Sequence, residues 1–326
     1  MIKNILHVEN LKISYAAKTN FLGKVTEWNN AVDNVSFDID SGEIVGIIGE
    51  SGCGKSSLAK ALVGLNKFSA TRVVFDWQYN LHELKTSQEW LKVRRNFQII
   101  FQDPIASLDP SMTIGEIIAE PLRYLLKAND EKIIKQEVLS MMRAVGLQKD
   151  KYYRYPHEFS GGQCQRIGIA RALIVKPKLV ICDEPVSALD VSIQAQVINL
   201  LIQLKKNLKL TMIFISHDLS VVRYVCDRIF VMYSGKIVEK ADTEDIFSNP
   251  QHPYTKQLLS AARGEKNNNI NLTQQDTPTP HNCVGCKYLP LCPYVQNICS
   301  KSNPELEITD KRTHEVACWN AISENS

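Results

Sequence analysis

The chain has 326 residues, a length that corresponds to roughly two domains. Its 44% hydrophobic and 22% charged residues describe an ordinary core-forming protein, and a net charge of +3 is too small to argue for nucleic acid. The sequence holds no run of about 18 uncharged apolar residues, and Met1–His7 opens no long apolar stretch, so neither a membrane span nor a secretion signal is expected.

In chain order, residues 6–15 partly alternate and Ala31–Ile39 alternates around Val32, Val35, Phe37 and Ile39, so both are read as strands. Asp40-Ser41-Gly42-Glu43 is a turn, and Ile44–Ile48 is a short apolar run that reads as a buried strand. There follow Gly49, Glu50, Ser51, Gly52, Cys53, Gly54, Lys55 and Ser56, and then the helix-forming stretch Ser57–Leu65. Strand, glycine-rich loop and helix together are the context that a G-x-x-x-x-G-K-[ST] match requires. Glycines let the backbone wrap close to a polyphosphate, so that successive N–H groups and the helix N-terminus face negative charge. Lys55 can reach the terminal phosphates and Ser56 can place its hydroxyl on Mg²⁺. This is a nucleotide site.

Further on, Arg72–Trp77 reads as a strand, Ser87–Arg95 as a helix and Phe97–Phe101 as a strand ending at Gln102. Thr113–Leu126 and Asp130–Val145 carry apolar residues at three- and four-residue spacing, with Gly146 as a cap. Ser160-Gly161-Gly162-Gln163 leads into a helix expected over Cys164–Val175, with Ser160 placed to cap it. Lys178–Pro185 is a second buried strand finishing on Asp183 and Glu184. Val191–Leu208 reads as a helix, Thr211–Asp218 as a third buried strand that contains His217, and Asp227–Val231 with Lys236–Val238 as a hairpin. Strands alternating with helices imply a mainly parallel sheet whose ligands lie at the strands' C-terminal ends. Gln102, Asp183, Glu184 and His217 each fall at such an end, as does the phosphate loop.

ATP hydrolysis needs charge neutralisation on the phosphates and an oriented water. Asp183 after an apolar strand suits an Mg²⁺ ligand, and Glu184 beside it suits a general base. An adjacent Asp-Glu can also be a solvated strand end, but Leu179–Cys182 is apolar and Lys55 already calls for a metal partner. His217 is read as a γ-phosphate contact rather than a core histidine. Gln102 is either a turn residue or a ligand for Mg²⁺ and the attacking water. Tyr15 is read as a platform on which adenine stacks.

Together these residues closely resemble the ATP-binding subunits of ABC transporters. In that resemblance Ser160-Gly161-Gly162-Gln163 is the signature sequence, Tyr15 the adenine-stacking aromatic, Gln102 the Q-loop, Ser187-Ala188-Leu189-Asp190 the D-loop and His217 the switch histidine. The nucleotide would be held by Tyr15, Gly49–Ser57, Ser160–Gln163 and Asp190. Catalysis would fall to Glu184, His217 and Gln102, and Mg²⁺ to Ser56, Gln102 and Asp183. The resemblance implies a mainly parallel α/β P-loop NTPase core, an N-terminal antiparallel β subdomain and a helical signature subdomain over about 103–175. It also implies that two such domains face each other and close on ATP. Residues 103–110, 155–159, 163–170 and 190–197, with Asn249–Thr255, are similar to the oligopeptide/dipeptide importer ATPases, and among them to the F-type subunit. A related D-type ATPase, two permease subunits, a peptide-binding protein and a peripheral place on the cytoplasmic face of the cell membrane are implied, with no nucleic acid partner. Phe159, Cys53 and Cys164 depart from the commoner residues and leave the loop's backbone donors intact. The competing readings are a soluble mechanoenzyme on DNA or ribosomes, which usually has a coiled coil or two fused ATPase domains, and an importer of another solute such as nickel.

Domains are expected over 1–263 for the ATPase, 264–282 for a polar Asn-rich linker and 283–326 for a Cys-rich extension. Five of the nine cysteines crowd between Cys283 and Cys318, which in a cytosolic chain points to metal rather than disulfides. Cys286, Cys292, Cys299 and Cys318 supply four thiolates, with Cys283 an additional candidate. Tetrahedral zinc and a 4Fe-4S cluster both accept four thiolates, and spacing does not separate them. The resemblance to the peptide importers favours the cluster.

Overall fold

Two ribbons of unusual length begin the fold. The computed structural model describes residues 4–19, 25–264, 284–309 and 313–324. Strands β1 (Asn4–Thr19) and β2 (Val25–Asp40) pair antiparallel, with register shifts at Val8/Leu11 and Leu11/Ile13. Such bulges bend the ribbon and keep its apolar residues on one face. Leu6, Val8, Leu11 and Ile13 are buried on β1, as are Val32, Val35, Phe37 and Ile39 on β2. The strands run past the limits that alternation marked, because Tyr15–Lys18 is exposed and has no core to impose a pattern. Strands β4 (Arg72–Phe75) and β5 (Tyr79–Asn80) complete an antiparallel sheet in the order β2-β1-β4-β5, the expected N-terminal subdomain.

The main sheet holds β3 (Ile44–Ile48), β6 (Phe97–Ile100), β7 (Leu179–Asp183), β8 (Thr211–Ile215), β9 (Arg228–Tyr233) and β10 (Lys236–Asp242), with β11 (Glu307–Ile308) and β12 (Glu315–Val316). Its order is β11-β12-β10-β9-β3-β8-β7-β6, and β9, β3, β8, β7 and β6 run parallel. Every residue of β3, β7 and β8 is buried, which is why these strands read as unbroken apolar runs. Successive side chains point to opposite faces. Val45, Ile47, Leu179 and Ile181 therefore join the core under the antiparallel sheet and α1 (Lys55–Leu62), whereas Ile44, Ile48, Val180 and Cys182 join a second core under the helices.

Helix α2 (Ser87–Arg94) follows β5. The helical subdomain comprises α3 (Ile114–Leu126), α4 (Glu131–Ala144) and α5 (Gly161–Leu173). Thr113 and Glu116 form a capping box on α3, and Asp130 caps α4 by accepting the Lys132 and Ile133 N–H groups. Helix α5 starts at Gly161, three residues before the expected Cys164. Two glycines are poor helix formers and hid this first turn, which is held by the Ser160 N–H donating to Gln163 Oε1 at 3.2 Å. Helices α6 (Val191–Leu208), α7 (Leu219–Val225), α8 (Thr243–Ser248) and α9 (Pro253–Ala262) complete the ATPase region. The strands expected over 178–185 and 211–218 stop at Asp183 and Ile215, so His217 lies in the loop beyond β8.

Part of the Cys-rich segment lengthens the main sheet. Strand β12 pairs with β10 at Glu239↔Val316 and Lys240↔Glu315, and β11 pairs with β12. This explains why β10 continues to Asp242, beyond the expected Val238. Glu239 is fully buried, and its carboxylate accepts the Gln251 and His252 N–H groups at 2.7 and 2.9 Å. His314 Nε2 lies 2.7 Å from the same carboxylate. A short helix, α10 (Trp319–Glu324), ends the described chain. Apart from Gly264, the expected linker 264–282 lies outside the described residues, as does Cys283.

Candidate nucleotide-binding site

Four parallel strands, β3, β8, β7 and β6, are adjacent in the sheet, so the loops leaving their C-terminal ends stand side by side. A cavity of about 470 Å³ opens there, lined by Ser51, Gly52, Gly54, Lys55, Ser56 and Ser57 from the loop after β3. Gln102 after β6, Glu184 after β7, His217 after β8 and Ala31 of β2 close it. Its size falls within the roughly 300–1,000 Å³ typical of ligand sites.

Two glycines of the loop are irreplaceable for a local reason. Gly49 has φ 150°, and a Cβ there would stand 2.1 Å from the Met232 carbonyl oxygen. Gly54 has φ 108°, and a Cβ there would stand 2.1 Å from the Ala31 carbonyl oxygen. The loop is thus pressed against its neighbours on one side and open to the cavity on the other. Lys55 is buried, and its ammonium donates to the Gly49 and Glu50 carbonyls at 2.8 Å each. Carbonyl dipoles are weaker partners than a carboxylate or phosphate, which leaves the charge available for an anion.

Ser56 Oγ donates to Asp183 Oδ1 at 2.9 Å, joining the loop to the end of β7. Asp183 is 3% exposed, and burial holds its carboxyl above the usual carboxylate range, against the opposing pull of Ser56, Lys60 and Lys55. A buried carboxylate beside a serine hydroxyl is a donor set suited to a hard divalent cation. Ser56 and Asp183 therefore fit Mg²⁺. Glu184 takes φ 47°, a left-handed conformation that costs a non-glycine residue about 1–2 kcal/mol. Its N–H still continues the sheet by donating to the Ile215 carbonyl at 3.0 Å. The kink brings Glu184 Oε2 to the Gln102 amide, which donates to it at 2.9 Å, and to His217 Nδ1 at 3.4 Å.

Tyr15 is half-exposed, and its hydroxyl is fixed by the Ser57 Oγ at 3.3 Å and the Asn66 amide at 2.8 Å. The structure does not bring Ser160–Gln163 or Asp190 into this cavity. Gly161 is half-buried, and a Cβ there would meet only Leu189 Cδ2 at 3.6 Å, so this face of the α5 N-terminus is open. Sequence reasoning missed Tyr254, whose hydroxyl accepts the Glu50 N–H at 2.8 Å, and Ala31. Tyr254 carried a signal, since it lies in the Asn249–Thr255 stretch, but nothing there showed that it reaches the loop.

Cys286, Cys292, Cys299 and Cys318 do converge, lining one space of about 10 Å³ with Tyr288 and His252. All are free thiols, and burial pushes Cys286 up to about 11 and raises Cys292 and Cys318. The donor number suits a four-thiolate centre, but the space is no larger than about one water molecule. Among the described residues no group of three or more His, Cys, Asp or Glu is placed to hold a metal ion. The expected iron–sulfur cluster therefore finds no support in this geometry.

The solved ATP-binding cassette MJ0796, in a dimeric post-hydrolysis state bound to ADP and Pi, aligns with TM-score 0.65 and 28% identity over 73% of this chain and 99% of that one. The cbiO1 protein from Clostridium perfringens, described as part of the ABC transporter complex cbiONQ, aligns with TM-score 0.64 and 28% identity over 76% and 91%. The fold and site are those of an ABC-type ATPase. The family model described as ABC transporter matches residues 32–187, and that described as oligopeptide/dipeptide transporter, C-terminal region, matches 238–299. The oligopeptide transport ATP-binding protein OppF of Escherichia coli (strain K12) is 47% identical over 97% of this chain and 96% of its own length. OppF of Bacillus subtilis (strain 168) is 49% identical over 80% and 83%. The chain belongs to the ABC transporter family, among its oligopeptide transport ATP-binding proteins.

Proposed function

We propose that the chain is the ATP-hydrolysing, energy-coupling subunit of a peptide importer. The observation that carries this is the convergence of Lys55, Ser56, Gln102, Glu184 and His217 on one cavity, with Asp183 hydrogen-bonded to Ser56 behind it, in a chain 47% identical to OppF. In this reading the loop N–H groups and Lys55 bind the phosphates, and Tyr15 stacks on the base. Ser56 and Asp183 hold Mg²⁺, with Gln102 a further ligand. When bound, Mg²⁺ neutralises phosphate charge. Glu184 takes the proton of the attacking water, oriented by Gln102, while His217 contacts the γ-phosphate.

The separation of Ser160–Gln163 and Asp190 from the cavity supports a composite site, in which these residues serve the nucleotide of a facing ATPase. We infer a D-type subunit as that partner. A second cleft of about 340 Å³ between the sheet end and the helical subdomain, lined by Leu65, Phe101, Tyr124 and Leu125 among others, suits an apolar element of a permease. Two permease subunits, a peptide-binding protein and a peripheral place at the cytoplasmic membrane face complete the assignment. Among the described residues no helix is long and apolar enough to cross a membrane. The domain reading is kept as an ATPase over 1–263, a linker over 264–282 and a Cys-rich extension from 283. The test is ATP-driven peptide uptake by vesicles that hold the assembled complex. Uptake that persists without this chain, or ATP turnover uncoupled from peptide, overturns the proposal.

For the cysteines we infer a four-thiolate centre, 4Fe-4S in preference to zinc, on the number of thiols and the family resemblance and not on the geometry of the space between them. The lobe has to open to accept it. Iron and sulfide in protein purified without oxygen are expected; a colourless, zinc-containing, iron-free protein overturns the cluster.

A further inference from the structure

The phosphate loop is gripped from behind by two supports, and both are held by the C-terminal segment. The first support is Tyr254 near the start of α9. It is 1% exposed, and its hydroxyl accepts the Glu50 N–H at 2.8 Å. The second is the Ser234-Gly235 turn between β9 and β10, whose φ values of 45° and 81° are those of a tight hairpin. The Gly235 N–H donates to the Cys53 carbonyl at 2.9 Å, and the Gly235 carbonyl accepts the Asp33 N–H at 2.8 Å. This turn therefore ties the loop to β2.

Residues of the Cys-rich segment close on both supports. Lys287 Nζ donates to the Ser234 carbonyl at 2.8 Å and lies 3.0 Å from Asp33 Oδ2. The Tyr288 ring packs on Tyr254 and Tyr233, with centroid separations of 5.7 and 5.2 Å. A glycine-rich loop loses more conformational freedom on ordering than other sequences, so its affinity for phosphate depends on how far it is ordered beforehand. Core filling alone needs neither the phenol oxygen of Tyr254 nor the ammonium of Lys287.

We infer that Tyr254 and Lys287 are positioning residues for nucleotide binding. They fix the peptide units at Glu50 and Cys53 so that the remaining loop N–H groups face the phosphates, and they make phosphate affinity depend on the seating of the C-terminal segment. The inference rests on the reading of this loop as the nucleotide site.

The test uses the full chain titrated with ATP and Mg²⁺ by calorimetry, and the assembled complex for steady-state hydrolysis. Tyr254→Phe keeps the ring and removes the hydrogen-bond acceptor; Lys287→Met keeps the stem and removes the charge. Loss of one ordered hydrogen bond weakens binding roughly tenfold. Kd and KM for ATP are expected to rise by about that factor for Tyr254→Phe and by about threefold for Lys287→Met, with kcat at saturating ATP changed less than twofold. A purely structural role would instead lower the melting temperature and the active fraction while leaving KM unchanged, and that result overturns the inference. Each variant reads its own support, so one that fails to fold does not remove the other. Wild-type protein that binds no ATP overturns the site reading and the inference together. Wild-type protein that binds ATP beside variants of equal affinity overturns only the inference.

Discussion

The Gln102 amide donates to the Glu184 carboxylate at 2.9 Å, across 82 residues of sequence. The two residues belong to different parts of the fold: Gln102 lies where β6 leads into the helical subdomain, and Glu184 at a left-handed kink after β7. The same oxygen, Glu184 Oε2, lies 3.4 Å from His217. One carboxylate is thus addressed from two neighbouring strand ends, and the hydrogen bond from Gln102 links it to the entry of the helical subdomain.

Glu184→Gln keeps the shape and a hydrogen-bonding partner for Gln102, but removes the carboxylate proposed as the base. Steady-state ATP hydrolysis in the assembled complex is expected to fall by roughly 100-fold or more, the lower range for a general base. ATP binding should persist, measured by calorimetry. Hydrolysis at the wild-type rate would refute the assignment.

The two signature glycines should behave differently. A Cβ at Gly162 stands 2.4 Å from Ile193 Cγ2, so Gly162→Ala overpacks the contact between α5 and α6 and should cost roughly 1–3 kcal/mol, read by denaturant unfolding. A Cβ at Gly161 meets only Leu189 Cδ2 at 3.6 Å. Gly161→Asp should therefore fold normally, bind ATP as a single chain and, if the proposed composite site holds, lose hydrolysis in the complex, because it would present negative charge to the partner's nucleotide. Normal hydrolysis by Gly161→Asp would remove the composite site.

Asp183 makes stability and function oppose each other. Its folded-state carboxyl is raised above the ordinary value, chiefly by burial. The protonated form is favoured in the fold, so stability from this group is present at low pH and lost as pH rises through the folded value. At neutral pH the ionised side chain is a cost. Asp183→Asn, which can still accept from Ser56, is expected to raise the melting temperature without nucleotide while hydrolysis and Mg²⁺-dependent affinity fall. A lower melting temperature at neutral pH would contradict this.

His252 carries the opposite sign. Burial lowers its value from 6.5 to about 4, and its neutral Nδ1 accepts the Tyr254 N–H at 3.1 Å. Between these values the unfolded chain binds the proton and the fold does not, so stability falls as pH drops from about 6.5 toward 4, by about 3 kcal/mol at most. Urea unfolding across this range should show the decline, and His252→Asn should flatten it. Equal slopes for the two proteins would exclude His252 as the source.

The sequence by itself determined the nucleotide loop, the buried strands and the strand-end residues Gln102, Asp183, Glu184 and His217. These features are local: phosphate wrapping demands glycines at fixed spacing, and strands covered on both faces demand unbroken apolar runs. It also determined most helices, because capping residues and periodic apolar faces are written within a few positions. Only the tertiary structure decided the start of α5, the kink at Glu184, the pairing of β12 with β10, and the reach of Tyr254 to the back of the loop and of Lys287 to the Ser234-Gly235 turn. Apart from the start of α5, which the Ser160–Gln163 bond sets locally, each depends on a partner far away in the chain, as His314 does on Glu239, and no periodicity within one segment records where a distant segment will lie. The same holds for the cysteines. Their spacing announced four donors, but the size of the space between them is set by the side chains that pack around it.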